Sequence, residues 1–565
     1  MEDERQARGQ RRRVTWLGMV MAFVGLAVVS RLAFWQLFPH PELGELEMGD
    51  LPNVVPAARG VIRDATGHYL VASTATFSAA VSPKLLGPEQ REKLLEDLAR
   101  ILGRDRLEIA PLLERIDREY VPLGTDLPVE VGRQLEDLKS DALAIHVTYK
   151  RVYPDGSLAA PVLGFVDYLG QGRYGLEQYY ESRLRGVEGK WYGVRDPWGR
   201  QIFLTLGGYQ PAQDGADLLL TLDRNVQRRA EEILRDGLEH NKATSGNIIV
   251  LDARTGAVLA MANYPSYSPA AYWEVEDLNQ FVNTSISWIY EPGSVFKPLT
   301  IAAALETRVI PPGYVYDDRG EIIVGQQRIF NSDRKAHGPT SLLQLLAYSR
   351  NVGAAHIAAL LGETRFYEML RRFGFGEVTG VDLSLEEEGI MRVPGDSAWH
   401  KSDLATNSFG QGISVTPLQV AAAYVALANG GLLLRPYIVS EIRQGDEVEP
   451  ITPLVVRRVL SEEVAHYMQE LMADSLELGM QQATLPGYRL AGKSGTASIA
   501  DQEGYQAKEI IASFVGFGPL PNPQFVVLVK FDKPKEGYWG IEVAAPEFRR
   551  MCKFLFDYYG ILPSR

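Results

Sequence analysis

Hydrophobic and polar positions divide this chain unevenly. Val14 to Ser30 runs without a charge, Arg31 interrupts it, and Leu32-Ala33-Phe34-Trp35-Gln36-Leu37-Phe38 continues it. The whole stretch is long enough to cross a bilayer, which takes about 20 residues. Arg5, Arg8, Arg11, Arg12 and Arg13 precede it and nothing comparable follows closely. This predicts a cytoplasmic tail over 1–13, one transmembrane anchor over 14–38 and an extracytoplasmic remainder. Arg31, near one end, can snorkel to the headgroups. A cleaved signal would need a small-x-small site, but Phe34-Trp35-Gln36-Leu37 follows instead.

Beyond the anchor, Pro52 to Pro56 reads as an extended linker. Arg59 to Asp64 leads into a turn at Gly67 and a short strand, Tyr69 to Ala72. Glu89 to Leu102 and Asp105 to Tyr120 carry helical spacing, and the Gly-, Tyr- and Pro-rich stretch from Tyr153 to Tyr209 reads as short strands and turns. Residues 39–218 are therefore expected to form a non-catalytic, mostly β pedestal. The pattern changes at Leu218 to Asp223, where Asp223 can cap a helix from Asn225 to Glu239. Gly246 to Asp252 and Gly256 to Ala262 are apolar runs around an Arg-Thr-Gly turn, and read as a buried hairpin. Ser513 to Gly518 and Phe525 to Phe531 form a second strand pair, with helical segments such as Val415 to Ala428 between the two sets. Strands at both ends with helices between predict one sheet built from the two ends of residues 219–565, an α/β (α+β) domain.

Composition narrows the function. The 565 residues suggest roughly three domains. A hydrophobic share of 46% and a charged share of 23% are those of a folded globular protein. A net charge of −13 argues against a nucleic-acid partner. The single cysteine, Cys552, rules out an internal disulfide and a cysteine metal cluster. The 8 histidines show no metal-ligand spacing, so neither metal nor cofactor is expected.

Candidate chemistry begins at Ser294-Val295-Phe296-Lys297. About two S-x-x-K matches are expected by chance in a chain this long. The other match, Ser332-Asp333-Arg334-Lys335, lies in a polar stretch and reads as solvated loop. The first follows Glu291-Pro292-Gly293 and opens into Leu299 to Leu305, a turn feeding a buried helix. Ser294 then sits at a helix start, which favours developing negative charge, with Lys297 one turn on. Pro298 lacks an N–H and leaves the Ser294 carbonyl without its helical partner. Ser349-Arg350-Asn351 follows a capping-box helix start, Ser341-Leu342-Leu343-Gln344. Ser349 and Asn351 share a site only if the helix breaks; Asn351-Val352-Gly353 supplies the break, and Arg350 should face away. Alone, such a triplet is ordinarily an inter-helix turn. Gly487 to Ser494 matches G-x-x-x-x-G-K-[ST] in full, but Tyr488 and Arg489 are bulky and no apolar strand precedes Gly487. Lys493-Ser494-Gly495-Thr496 reads instead as a pocket-edge strand, with Gly495 admitting a substrate backbone.

Taken together, these motifs resemble the class B penicillin-binding proteins, monofunctional peptidoglycan D,D-transpeptidases; S-x-x-K with a lysine-x-glycine triplet is a known signature of that superfamily. The resemblance extends to Arg59-Gly60-Val61-Ile62-Arg63-Asp64, Gly175-Leu176-Glu177, Tyr290-Glu291-Pro292-Gly293-Ser294, Phe409-Gly410-Gln411-Gly412 and Thr416-Pro417-Leu418-Gln419. It implies the penicillin-binding serine transpeptidase fold on an elongated pedestal. It makes Ser294 the nucleophile, Lys297 the base, Ser349 a proton relay to the leaving amine and Asn351 a ligand of the substrate amide. Lys493, with Ser494, Gly495 and Thr496, would hold the terminal carboxylate, and the N–H groups of Ser294 and Thr496 would form the oxyanion hole. Arg350 and Ser494 depart from the commoner family residues without removing a functional atom. The implied partners are stem peptides, lipid II-derived glycan strands, a SEDS-type glycan polymerase and other divisome proteins at the plasma membrane, with a division role favoured. The alternatives are a catalytically silent division scaffold and a slow β-lactamase. Glu276-Asp277-Leu278-Asn279 spells the water-activating element of the latter but precedes Ser294.

Overall fold

The structure is a computed structural model that describes residues 16, 19–31, 53–191, 194–195, 201–202, 209–325, 327–501 and 504–563. It divides into two compact units, 1–57 with 187–213, and 58–186 with 214–565. Of the expected anchor, Trp16 and 19–31 are described and are helical; the rest of 14–38 lies outside the described residues. Among the described residues, no helix is long and apolar enough to cross a membrane. In the smaller unit, Asn53–Val55 pairs antiparallel with Gly189–Trp191, which also pairs with Tyr209–Gln210. The expected linker is thus in part a strand.

In the larger unit the pedestal sheet runs Glu447–Pro450, Val439–Gln444, Asp217–Leu220, Ile62–Arg63, Tyr69–Val81 and Val121–Leu127, with Leu143–Val152 also paired to Tyr69–Val81. Segments on both sides of residue 218 therefore share it. Helix Pro88–Leu102 matches its pattern, whereas the second helix spans only Arg106–Leu113, because Pro111 removes a helical N–H and the helix ends within a turn of it. Between Tyr153 and Gly186 the chain forms short helices (Ala160–Leu163, Gly175–Tyr179, Glu181–Leu184) beside one small hairpin, so this half is more helical than its Gly and Tyr content suggests. These helices gather around Glu177, fully buried and bonded to Arg59 and Arg151.

The second half is built on helix α1 (Arg224–Asn241), strands β1 (Ser245–Asp252) and β2 (Val258–Tyr264), and helices α2 (Lys297–Glu306), α3 (Leu342–Ala347), α4 (Asn351–Arg372), α5 (Pro417–Ala428) and α6 (Glu462–Gly479). Strands β3 (Ala491–Asp501), β4 (Gly504–Gly518) and β5 (Phe525–Asp532) and helix α7 (Ala545–Tyr558) complete it. Asp223 caps α1 as expected, accepting from the Asn225 and Val226 N–H groups. One antiparallel sheet runs β2-β1-β5-β4-β3, so both ends of this half meet in it. The strands read as unbroken apolar runs because both sheet faces are covered. Ile249, Leu251 and Leu528 pack into the core that holds α2 and α5, and Ile248, Val250 and Val529 into the core that holds α1 and α7. Helix α5 is buried on every side, as its apolar sequence requires.

Candidate active site

Ser294 lies in a 3-10 turn, Gly293–Phe296, that runs directly into α2. The Ser294 carbonyl accepts the Lys297 N–H in 3-10 fashion, so the partner that Pro298 cannot supply is replaced and the carbonyl is satisfied. The turn is pinned from below: the Tyr424 hydroxyl on α5 donates to the Val295 carbonyl at 2.7 Å, and Thr300 Oγ1 donates to the Ser408 carbonyl at 2.7 Å.

Three glycines seat this turn on its neighbours. Gly293, at φ +61°, donates its N–H to the Gly410 carbonyl at 3.0 Å, and a β-carbon on Gly410 would lie 2.3 Å from the Gly293 carbonyl oxygen. On β3, a β-carbon at Gly495 would meet Ser513 Oγ at 2.5 Å, the Pro292 carbonyl oxygen at 2.8 Å and Val295 at 3.0 Å. The space beside Gly495 is thus filled by the nucleophile's own turn. This glycine therefore joins two parts of the site.

The second motif breaks earlier than its sequence suggests. Helix α3 ends at Ala347, Ser349 takes φ +55°, and α4 restarts at Asn351. The Ser349 N–H bonds the Leu346 carbonyl and the Arg350 N–H the Leu345 carbonyl, a Schellman ending with serine where glycine is usual. Gly353 is not the breaker; it lies within α4, where a β-carbon would come 2.3 Å from the Tyr316 hydroxyl. The kink turns Ser349 and Asn351 toward Lys297. The Lys297 Nζ lies 3.0 Å from Ser349 Oγ, 2.6 Å from the Ser349 carbonyl and 2.7 Å from Asn351 Oδ1.

Electrostatically the site holds two lysines out of water. Lys297 is fully buried, and desolvation, then Lys493 and Arg350, push its pKa well below the ordinary value. Two acceptor-only oxygens and one hydroxyl around Nζ suit a neutral amine, which donates twice and accepts once. Lys493, on β3 and 1% exposed, is brought down to about 7 by burial. Its Nζ lies 3.0 Å from the Ser494 carbonyl. Thr496 Oγ1 accepts the Gly540 N–H at 2.9 Å, tying β3 to the Tyr538–Gly540 segment.

Ser294, Ser349, Asn351, Lys493, Ser494 and Thr496 all line one cleft of about 390 Å³. Lys297 reaches it through Ser349 and Asn351, and Gly495 lies behind it. The P-loop spelling at Gly487 is a turn feeding β3, and Glu276 to Asn279 is not among the cleft residues. Sequence reasoning gave no cleft position to Ser332, Gln411, Tyr348, Tyr538 or Trp539, which line it. Ser332 belongs to the S-x-x-K match read as solvated loop; the structure shows residues 332–335 exposed in a loop, as expected, with Ser332 at the cleft rim.

A match to the family described as penicillin binding protein transpeptidase domain covers residues 246–553, and one to the penicillin-binding protein dimerisation domain covers 54–220. The chain belongs to the class B penicillin-binding proteins. Among curated relatives, Stage V sporulation protein D of Bacillus subtilis is 30% identical over 98% of this chain and 87% of that protein. The probable peptidoglycan D,D-transpeptidase PenA of Neisseria gonorrhoeae is 29% identical over 98% of this chain and 94% of its own. Among solved structures, a peptidoglycan synthetase from Bifidobacterium adolescentis superposes with a TM-score of 0.77 at 27% identity, covering 91% of this chain and 97% of that one. Penicillin binding protein 3 from Mycobacterium tuberculosis in complex with ampicillin gives 0.69 at 26%, covering 91% and 97%. The activity of this penicillin-binding protein is that of a peptidoglycan D,D-transpeptidase, a serine acyltransferase of cell-wall synthesis.

Proposed function

We propose that Ser294 is the nucleophile of this transpeptidase and Lys297 its base. Ser294 Oγ attacks the carbonyl carbon of the penultimate D-Ala of a stem peptide while Lys297 takes its proton. The C–N bond to the terminal D-Ala breaks, and the leaving amine receives a proton through Ser349. An amine from a neighbouring strand then attacks the ester, forming the cross-link and freeing Ser294. Lys493 and Thr496, beside Ser494 and Gly495, hold the terminal carboxylate, Asn351 orients the substrate amide, and the N–H groups of Ser294 and Thr496 stabilise the oxyanion. Loss of one such donor costs about 3–4 kcal/mol elsewhere.

The observation that carries this reading is the fully buried Lys297 amine, one turn from Ser294 and hydrogen-bonded to both Ser349 and Asn351. Labelling with fluorescent penicillin tests it: wild type should form a persistent adduct, and Ser294→Ala should form none. Equal labelling would defeat the site assignment. Rapid nitrocefin turnover would convert the reading to a β-lactamase, and absent labelling in wild type to a silent scaffold.

The setting is part of the proposal. Val14 to Phe38 anchors the chain in the plasma membrane with residues 1–13 cytoplasmic, supported by the charge bias around the stretch. The family resemblance supports work beside a SEDS-type polymerase, and the likeness of Gly410 to Gln419 to division or sporulation types supports a role in septal synthesis. Protease protection in spheroplasts checks the topology; digestion of residues 1–13 from outside would reverse it.

A further inference from the structure

The second S-x-x-K match left a loop with no assigned role, yet this loop is rooted deeply. Asn331, 2% exposed, donates to both carboxylate oxygens of the buried Asp318 at 2.9 Å, and its Oδ1 accepts the Val352 N–H at 3.1 Å. The Phe330 carbonyl accepts from Asn351 Nδ2 at 3.2 Å. From this base, Asp333 reaches the second catalytic motif. Its Oδ2 lies 2.5 Å from Arg350 Nη1 and 2.9 Å from His337 Nε2, and its Oδ1 accepts the Lys335 N–H at 3.1 Å. Arg350 also stacks over Tyr348, with its guanidinium 5.4 Å from the ring centroid.

We propose that Asp333 and Arg350 are positioning residues for the transfer reaction: their ion pair grips the Tyr348–Arg350 kink from behind and so fixes where Ser349 meets the Lys297 amine. The left-handed backbone at Ser349 is unfavourable for a residue with a β-carbon and persists only where surrounding contacts hold it. Lys297 bonds both the carbonyl and the hydroxyl of Ser349, so a shift of the kink moves two of the three partners of the amine together. Arg350 is also one of the cations that disfavour a charged Lys297. The charged groups around Lys297 are Lys493 from β3, Arg350 from the kink, and Asp333 and His337 behind Arg350; on its own turn, Glu291 accepts the Gly412 N–H. Asp333 therefore compensates the charge of Arg350 as well as holding it in place.

This inference rests on the roles proposed for Ser294, Lys297 and Ser349, and the test separates the two. Penicillin acylation rates are measured from about pH 5 to about pH 9 on the full chain in detergent, with Ser294→Ala as the reference; adduct formation there would defeat the nucleophile reading, whatever the pair does. Asp333→Asn leaves Arg350 uncompensated, so the acid limb of the profile should move to lower pH, while Arg350→Gln should move it to higher pH. Both should lower the plateau at least tenfold, the double variant should match Arg350→Gln alone, and Asp333→Glu should recover most of the rate. Thermal melts exclude unfolding as the cause. Wild-type profiles in Asp333→Asn and Arg350→Gln would overturn the proposal, as would limbs moving in the same direction or fully additive losses.

Discussion

Lys493→Met isolates what the buried cation costs the fold. In the folded chain the Lys493 pKa is held near 7 by burial, against about 10.4 in an unfolded chain. Well below pH 7 both states are protonated, and the displacement corresponds to about 4–5 kcal/mol of destabilisation; at pH 7 about 4 kcal/mol of it remains. Between about pH 7 and about pH 10.4 the unfolded chain binds more protons than the folded one, so stability rises with pH, and above this window the penalty is gone. Methionine matches the length of the lysine stem without a charge, and such swaps usually cost under about 1.5 kcal/mol. The variant should therefore be more stable than wild type by about 2–4 kcal/mol near pH 7, with the excess shrinking toward zero near pH 10.5. Urea unfolding followed by tryptophan fluorescence across that range reads the difference, and penicillin labelling should be almost abolished in the variant. A difference independent of pH, or a variant less stable throughout, would refute the claim that burial holds Lys493 close to neutrality.

Ser349→Gly should relieve the left-handed backbone and stabilise the fold by about 1 kcal/mol while lowering acylation at least a hundredfold, measured by paired melts and labelling. Gly495→Ala places a methyl group against Ser513, Pro292 and Val295 and should cost about 1–3 kcal/mol, with slower acylation, because the turn bearing Ser294 must shift. The pH profile of kcat/KM for a stem-peptide substrate should rise as Lys297 loses its proton and fall as Lys493 loses its own near 7. Bound carboxylate favours the charged Lys493, so the falling limb of kcat should lie at higher pH than that of kcat/KM. Glu177→Gln leaves Arg151 buried without its carboxylate and Arg59 with Glu181 alone, and should destabilise the pedestal by about 3 kcal/mol, read by calorimetry, without changing the labelling rate of the folded fraction.

The sheet was legible in the sequence because its strands are buried on both faces and carry long apolar runs, as in Ile248 to Leu251 and Phe525 to Phe531. The Asp223 cap was legible because one carboxylate meets two free N–H groups at a helix start. Boundaries set by backbone detail were not. Serine at residue 349 adopts a conformation that sequence would assign to glycine, so the helix break was expected two to four residues late, over Asn351 to Gly353, whose glycine packs against Tyr316. The three glycines that seat the Ser294 turn act across segments far apart in the chain, and no local spacing reveals that Gly495 faces Pro292. The Asp333 loop is solvated, as its polarity suggests; its anchor, Asn331 on Asp318, is polar too, and only its burial sets it apart.

The central claim is that Ser294 supplies the oxygen that becomes acylated. Peptide mapping by mass spectrometry of the penicillin-treated protein tests it most directly: the account predicts one penicilloyl group per chain, carried by Ser294. A stoichiometric adduct on any other residue, Ser332 of the second S-x-x-K included, would contradict it.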